Sequence, residues 1–495
     1  MEANRKKRAY SCCGIGDCQV RYILSILAFW SLLNLYMLRV NLSIALVDMV
    51  QTPKQATKGE LCPNPKNSTQ AEGGGQFNWS AAMQGHLLSA FFYGYLFTPL
   101  LAGAMASVYG ALWVLGLGVL SAGIFTLLAP IAAQYGGPWA LFAVRVGVGM
   151  VSGMGFPSVH ALIGKWYPVS ERSFQTTLIY NGVQAGTIAI LVSSGFFIKS
   201  KFLGGWPASF YVSGLSSCIW FVFWAALVYE SPDHHPWIGE EELETITVGE
   251  VGPKKSGKVP FREIAKSVPF YALCYTHFAN NFVSYIQFTY VPTYFKQVLH
   301  LDIIVNGALS ALPHLAFMLF SSPSAYLVDR MRSAEVLPIN TLRKVANSMA
   351  FFVPALCLAA VPFIGCHAWP IIVLFTCSMG FNGLKLSGFE VTHIDMSPEF
   401  AGILMAGTNT VANLGGMGGP SFAGSILEAY TSDMSWKIIF VTTALVYVSG
   451  GIVFIVFGSA DLQPWGISPG TTQVYNASPT PETIKKEESP EKKSE

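Results

Sequence analysis

Residues 22–49 read YILSILAFWSLLNLYMLRVNLSIALVDM, an apolar run with a single guanidinium, Arg39, set well inside it. A helix that crosses a bilayer needs about 20 apolar residues, and this run is longer. A charge at such a depth costs about 3 kcal/mol or more, so it is kept where it faces a polar cavity, a partner or a substrate. The guanidinium fork matches carboxylate and phosphate, and Arg39 therefore points to an anionic passenger. A structural ion pair, or snorkelling to the surface, would be the other use of the same residue.

Further apolar runs follow near 80–107, 112–132, 137–164, 174–200, 208–230, 269–298, 305–329, 344–364, 369–393, 400–429 and 436–459. The 495-residue chain is 52% hydrophobic and only 12% charged, where an ordinary soluble domain carries roughly a quarter charged residues. So little polar sequence between so many runs excludes a large soluble helical core. The expected fold is an all-α membrane protein of twelve transmembrane helices in two six-helix halves, at 22–230 and 269–459. Residues 1–21 would form a cytoplasmic tail. The polar stretch 231–268, with EELE at 241–244 and GPKKSGK at 252–258, would be a cytoplasmic linker. Residues 460–495, ending KKEESPEKKSE, read as a disordered tail.

The net charge of +2 offers no argument for a nucleic-acid partner, but its placement is informative. Most Lys and Arg fall within 5–21, 165–172, 254–266, 330–344 and 485–493. These segments share one side if both termini are cytoplasmic, as the positive-inside rule predicts. No cleavable signal peptide is expected, because the first run is too long and no small-residue cleavage site follows it. FPSVHALIGKWYPVSERS at 156–173 and FEVTHIDMSPEFAG at 389–402 echo one another, each with a His in the span and Pro and Glu after it. Gly182 and Gly186 follow the first phrase, Gly415 and Gly419 the second. Paired halves of this kind characterise major facilitator carriers.

Arg39 shares its span with Asn34, Asn41 and Ser43. Arg145, on LFAVRVGVGMVSGMGFPSVHALI, would add a second positive charge to the amino-terminal half, or be a structural Arg bound to backbone carbonyls. Gly149 and Gly153 on the same span would let a neighbouring helix approach. The seventh span is polar, with Asn280, Asn281, Tyr285, Gln287, Tyr290 and Tyr294 available to a substrate or to helix packing. In the tenth, Lys385 and Glu390 stand five apart, which is not helical pairing, so they either pair or face different partners. A membrane-embedded Glu is a natural proton carrier. His160, His393, His277 and His314 serve either as proton carriers or as hydrogen-bonding structure. Asn67 and Asn78 are glycosylation sequons on the first external loop. Cys12, Cys13 and Cys18 precede the first span, whereas Cys62 and Cys366 alone fall outside, so a disulfide between the halves is arithmetically possible. There is no Walker A motif, no HExxH and no metal-ligand spacing, so no enzyme activity, cofactor or metal is expected.

RVNLSIALVDM at 39–49, SAFFYGYLFTPLLAG at 89–103, FPSVHALIGKWYPVSERS, and GFEVTHIDMSPEFAGILMAGTNT at 388–410 resemble the anion/cation symporter family, which includes sialin, the vesicular glutamate transporters and the type I sodium/phosphate cotransporters. The resemblance implies a major facilitator fold and alternating-access transport of a small anionic solute or phosphate. Coupling to protons, sodium or membrane potential would drive it, by a monomer in the plasma membrane or a lysosomal or vesicle membrane. By position it makes Arg39 the substrate anchor, with Arg145 and His160 at family positions. The chain departs from the family at several places. Ser152 stands where sialin and the glutamate transporters carry a glutamate, Val148 at sialin's other glutamate, Asn280 at a seventh-span arginine, and Leu88 at a second-span histidine. Glu390 replaces a neutral residue. These departures disfavour a glutamate transporter and shift any proton coupling toward Glu390, Lys385, His393 and His160. A sialin-like vesicular carrier, or a transport-inactive receptor or scaffold, would be the alternatives.

Overall fold

The structure, a computed structural model, describes residues 19–51, 62, 75–247 and 259–466. Asn67, the GPKKSGK segment, Cys12, Cys13, Cys18 and the tail beyond 466 lie outside them. Among the described residues the chain is helical, with one isolated β-bridge between Val50 and Phe77. The helices are α1 (Val20–Met49), α2 (Ala81–Tyr95), α3 (Thr98–Tyr109), α4 (Ala111–Ser152), α5 (Gly155–Trp166), α6 (Val169–Ser200), α7 (Pro207–Leu227), α8 (Glu240–Thr247), α9 (Phe261–Ile264), α10 (Val268–Gln297), α11 (Ile303–Ser333), α12 (Ile339–Ala360), α13 (Ala368–Asn382), α14 (Phe389–Met396), α15 (Ala401–Ala429) and α16 (Ser432–Phe457).

Twelve crossings result, although the elements do not map one to one onto the apolar runs. Eight helical stretches among the described residues are long and apolar enough to cross a membrane by themselves. One of them, Ala111–Trp166, is two crossings. It doubles back at Gly137, whose φ of 69° only glycine adopts freely, and Pro138 starts the return helix. The two limbs are antiparallel: Phe125 packs on Gly147, and Gly118 on Val151 and Met154. The second crossing is α2 and α3, interrupted at Leu96 and Phe97. The polar α10 and the glycine-rich α15 supply the remaining two.

Glycines set the same contact in both halves. A Cβ at Gly182 or Gly186 on α6 would run into the carbonyl oxygens of Phe29 and Leu33 on α1. A Cβ at Gly415 or Gly419 on α15 would meet those of Phe278 and Phe282 on α10. Lipid provides no hydrophobic drive for helix association, so this backbone approach is a large part of what holds each pair together. The matched contacts make α10 the counterpart of α1.

The halves meet at the end that carries a disulfide between Cys62 and Cys366, whose Cα atoms are 5.4 Å apart. There Ser89 on α2 bonds Ser421 on α15 at 2.9 Å, and Gly85 lies against Pro420 and Gly424. Glu428 accepts from the Ala82 N–H at the start of α2, at 2.7 Å. On the α6–α11 side, Lys199 pairs with Asp302 at 2.7 Å.

At the opposite end two carboxylates cap helix starts. Glu230 accepts from the N–H groups of Ala111 and Leu112 on α4 and pairs with Lys165. Glu242, on α8, accepts from Val20 and Arg21 at 3.0 and 2.9 Å, anchoring α1. Such a cap contributes about 1 kcal/mol. Part of the stretch expected as a linker is docked: His235 packs edge-on to Trp166 and Tyr229, and Ile238 and Ile246 join the core of the first half. Burial there holds the His235 imidazole below its ordinary pKa.

Candidate functional site

A narrow cavity lies between the halves. Its walls are Tyr36, Arg39, Val40 and Ser43 from α1, Leu88, Phe91 and Phe92 from α2, Arg145 from α4, Thr187 from α6, and Tyr285, Phe288 and Thr289 from α10. Arg39 is at its centre. Five rings surround the guanidinium carbon, with centroids at 5.4 Å (Tyr36), 4.6 Å (Phe91), 4.7 Å (Phe92), 5.6 Å (Tyr95) and 4.5 Å (Tyr285). A desolvated cation over an aromatic face gains about 2 kcal/mol, so the cage offsets part of the cost of burying the charge. Its Nη2 is enclosed and has no hydrogen-bond acceptor.

The helices explain the cage. Tyr36 stands one turn before Arg39 on the same face of α1. On α2 the run FFYGY presents Phe91, Phe92 and Tyr95, and Gly94 lets α4 pass close, because a Cβ there would meet the Val146 carbonyl. Gly149 plays the same part against the Phe91 carbonyl. α10 closes the cavity from the other half.

Arg145 also reaches the cavity wall, but both of its terminal nitrogens are bound to α1. It is 2% exposed. Its Nη1 donates to the Leu38 carbonyl at 2.6 Å and the Asn41 side-chain oxygen at 3.1 Å, and its Nη2 donates to the Arg39 carbonyl at 2.6 Å. Of the two readings open for this residue, the carbonyl-bound one describes its geometry. Asn41, read as a substrate ligand, points away, to Arg145 and to Ser213 at 3.2 Å. Asn280 and Asn281 are likewise not in the cavity walls. Asn280 accepts from Asn382 at 3.0 Å and donates to Asn281 at 3.3 Å, inside the second half. Among the seventh-span candidates Tyr285 alone lines this space, and Ser152 donates to the Val148 carbonyl of its own helix.

A second polar group lies on the tenth crossing. The helix breaks at Gly383–Leu386 into a 3₁₀ turn, and Gly388 is neither helical nor extended (φ −96°, ψ −117°). That break brings Lys385 Nζ to 3.5 Å from Glu390 Oε1, a pairing that continuous helical spacing would not give. His393 Nδ1 donates to the Glu390 carbonyl at 2.9 Å, and its Nε2 meets the Thr408 hydroxyl at 2.8 Å. His277 shares that hydroxyl at 3.2 Å. His160, exposed on α5, is hydrogen-bonded to Tyr180 on α6. His314 on α11 bonds Gln184 on α6 at 3.1 Å, across the halves. Asn78 is exposed, two residues before the α2 cap Ser80.

The cage residues Phe91, Phe92, Tyr95 and Tyr36 were not singled out from sequence, although an aromatic run and a ring one turn from a buried cation are visible signals. Equally unforeseen is an asymmetry of the repeat. Phe288 lies as far beyond Phe278 as Arg39 lies beyond Phe29, so the matched positions hold a ring and a cation.

The Major Facilitator Superfamily profile matches residues 24–420. A protein of Drosophila melanogaster named "Putative inorganic phosphate cotransporter" is 37% identical over 90% of this chain and 86% of its own length. Human sialin is 36% identical over 91% of this chain and 92% of its own. A bacterial homologue of the human lysosomal transporter Spinster, in an inward-facing, unoccupied state, superposes with a TM-score of 0.65 at 15% identity, covering 92% of this chain and 100% of that one. The chain belongs to the Major Facilitator Superfamily and, within it, to the anion/cation symporter family.

Proposed function

We propose that the protein carries a small anion, organic or inorganic phosphate, across its membrane by alternating access, with Arg39 as the anchor. The observation that carries this reading is Arg39 in the wall of a cavity between the halves, its buried Nη2 a charged donor without an acceptor. A buried donor left unmade costs about 1–3 kcal/mol, and an anionic oxygen would recover it. Arg145 would then position Arg39 through its backbone. Relatives named for phosphate and for sialin support the solute class. The charge bias of the loops supports cytoplasmic termini, which would make the disulfide-bearing end external and this conformation inward-facing. Either a cell-surface or an endolysosomal membrane fits.

The test is uptake by purified protein in liposomes, with phosphate, glutamate, sialic acid and aromatic acids offered under separate proton, sodium and voltage gradients. Arg39→Ala is expected to abolish flux while the protein stays monodisperse. Retained transport would remove Arg39 from the site.

For the coupling ion the reading is a proton on Glu390, exchanged against Lys385 with His393, His277 and His160 nearby. What supports it is placement: Glu390 is a carboxylate inside the tenth crossing, 3.5 Å from Lys385, and it lies within coulombic range of Tyr180 on the facing half. Glu390→Gln should uncouple uptake from a pH gradient while leaving counterflow exchange intact. Unchanged pH-driven uptake in that variant would remove Glu390 as the proton carrier and assign the proton to another group.

A further inference from the structure

We propose that α9 and the turn into α10 form a docking surface for an anionic phospholipid, with Arg262 and Lys266 on the headgroup phosphate and Phe261 entering the acyl boundary. The proposal is independent of Arg39 and of the solute. It draws on the reading that the end opposite the disulfide is cytoplasmic, since the cytoplasmic leaflet is the anionic one.

Position is the first argument. α9 is fixed on the second half: Ile264 is buried, and Val259 packs against the same core. The Tyr271 hydroxyl donates to the Ala265 carbonyl at 2.9 Å, which ties the turn to the first part of α10. Val268, Tyr271 and Tyr275 follow at helical spacing, so they share one face of α10, and all three are exposed. Tyr275 bonds Ser449 on α16 at 2.9 Å, and α16 packs on α10, α12 and α15, all of the second half. The exposed strip therefore belongs to the outer surface of that half, where the bilayer lies. Tyrosines at the end of such a strip mark headgroup depth, and α9 sits directly upon them.

Charge is the second. Arg262 and Lys266 stand four apart and both are exposed. Neither forms an ion pair among the described residues, and Glu263 beside them pairs with neither. The sequence from 254 to 266 holds five basic residues and one acidic. Lys254, Lys255 and Lys258 lie outside the described residues and contribute to the field, not to the site. About four to eight Lys and Arg directly beside a crossing is the pattern that attracts acidic lipids. The Arg262 fork suits two oxygens of a phosphodiester, and Lys266 supplies a point charge.

The third argument separates a lipid from a soluble anion. Phe261 is 66% exposed next to the basic pair. A soluble polyanion would use the charges and leave that ring in water. A phospholipid uses both, because a ring at the acyl boundary gains burial while its basic neighbours meet headgroups.

The experiment places full-length protein, with p-benzoylphenylalanine in place of Phe261, in phosphatidylcholine vesicles holding a minority of phosphatidylserine in both leaflets. After irradiation the lipid adducts are identified by mass spectrometry. Phosphatidylserine is expected to exceed its mole fraction among the adducts by about threefold or more, and high salt should lower the excess. Arg262→Gln with Lys266→Gln should return it to the mole fraction. Adducts in proportion to composition, or an excess that survives the double substitution, would overturn the site. Absence of lipid adducts would place the ring in water, overturn the lipid and assign the basic pair to a soluble partner. A second measurement keeps the natural Phe261: electron paramagnetic resonance of spin-labelled phosphatidylserine and phosphatidylcholine gives their relative association with the protein. The double substitution should lower that preference by about twofold, and an unchanged preference would overturn the site even if the photoreactive protein fails to fold. Neither readout involves flux, so the outcome is separate from that of Arg39→Ala.

Discussion

At the scale of single residues, two arginines of one charge have been given different work by their acceptors. Arg39 keeps an open donor amid five rings, whereas Arg145 ties the backbone of α1 to α4. Sequence exposed both as costly charges but could not tell them apart, because a carbonyl acceptor on another helix leaves no mark in composition. Asn41, Asn280 and Asn281 were equally ambiguous, and in this conformation their side chains bond partners within the same half. The distinction has a consequence. Lysine keeps the charge of Arg145 but, as a single nitrogen, cannot reach Leu38, Arg39 and Asn41 together. Arg145→Lys is therefore expected to lower stability by about 1–3 kcal/mol for a charged hydrogen bond lost. It should also weaken solute binding through the loosened Arg39 backbone. Thermal unfolding in detergent and the KM of uptake check it; wild-type values for both would show that the clamp carries nothing.

At the scale of elements, hydropathy located the crossings, including the turn near Gly137 that separates the runs 112–132 and 137–164, whereas the interruptions of the second and tenth crossings escaped it because apolar content is blind to backbone dihedrals. The i, i+5 spacing of Lys385 and Glu390 left open whether they pair, because the spacing rule presumes an unbroken helix and this one is interrupted at Gly383–Leu386. The repeated glycines, by contrast, were legible and now have a physical reason. Adjacent glycines on α15 separate that reason from general flexibility. A Cβ at Gly419 would meet the Phe282 carbonyl, whereas one at Gly418 would find its nearest neighbour, the edge of the Phe282 ring, at 3.8 Å. Gly419→Ala should destabilise by about 1–3 kcal/mol through forced separation of α10 and α15. Gly418→Ala should be neutral or slightly stabilising, by favouring helix. Melting temperatures of the two variants, read side by side, decide it; equal shifts would refute the contact.

At the scale of the whole molecule, alternating access requires the helices at the joined end to part within the reach of the Cys62–Cys366 tether, so the non-covalent contacts that close that end must be weak enough to reopen. The hydrogen bond of Ser89 to Ser421 and the close glycines are short-range contacts, and the one charged link between α6 and α11 described there, Lys199 with Asp302, is half exposed. An exposed pair contributes about 0.2–1 kcal/mol, a bias rather than a lock. Its pH dependence follows from Asp302. The hydrogen bond from Lys199 holds that carboxyl below its ordinary value, the Ile304 N–H assists, and partial burial opposes. A depressed carboxyl stabilises the closed state above its ordinary pKa, and the stabilisation is lost as pH falls through the depressed value. Closure by this pair should therefore be constant from pH 7.5 to 5, whichever compartment the end faces, and should weaken only below about pH 4. Asp302→Asn should raise the population open at the disulfide-bearing end by about 1.4- to 5-fold at neutral pH, the equilibrium factor of so weak a pair, and remove the acid-induced step. Distances between spin labels on the facing ends of α6 and α11, followed from pH 7.5 to 3.5, measure this directly. An opening that begins near pH 6 in the wild type, or one that survives unchanged in Asp302→Asn, would assign the gate to other groups.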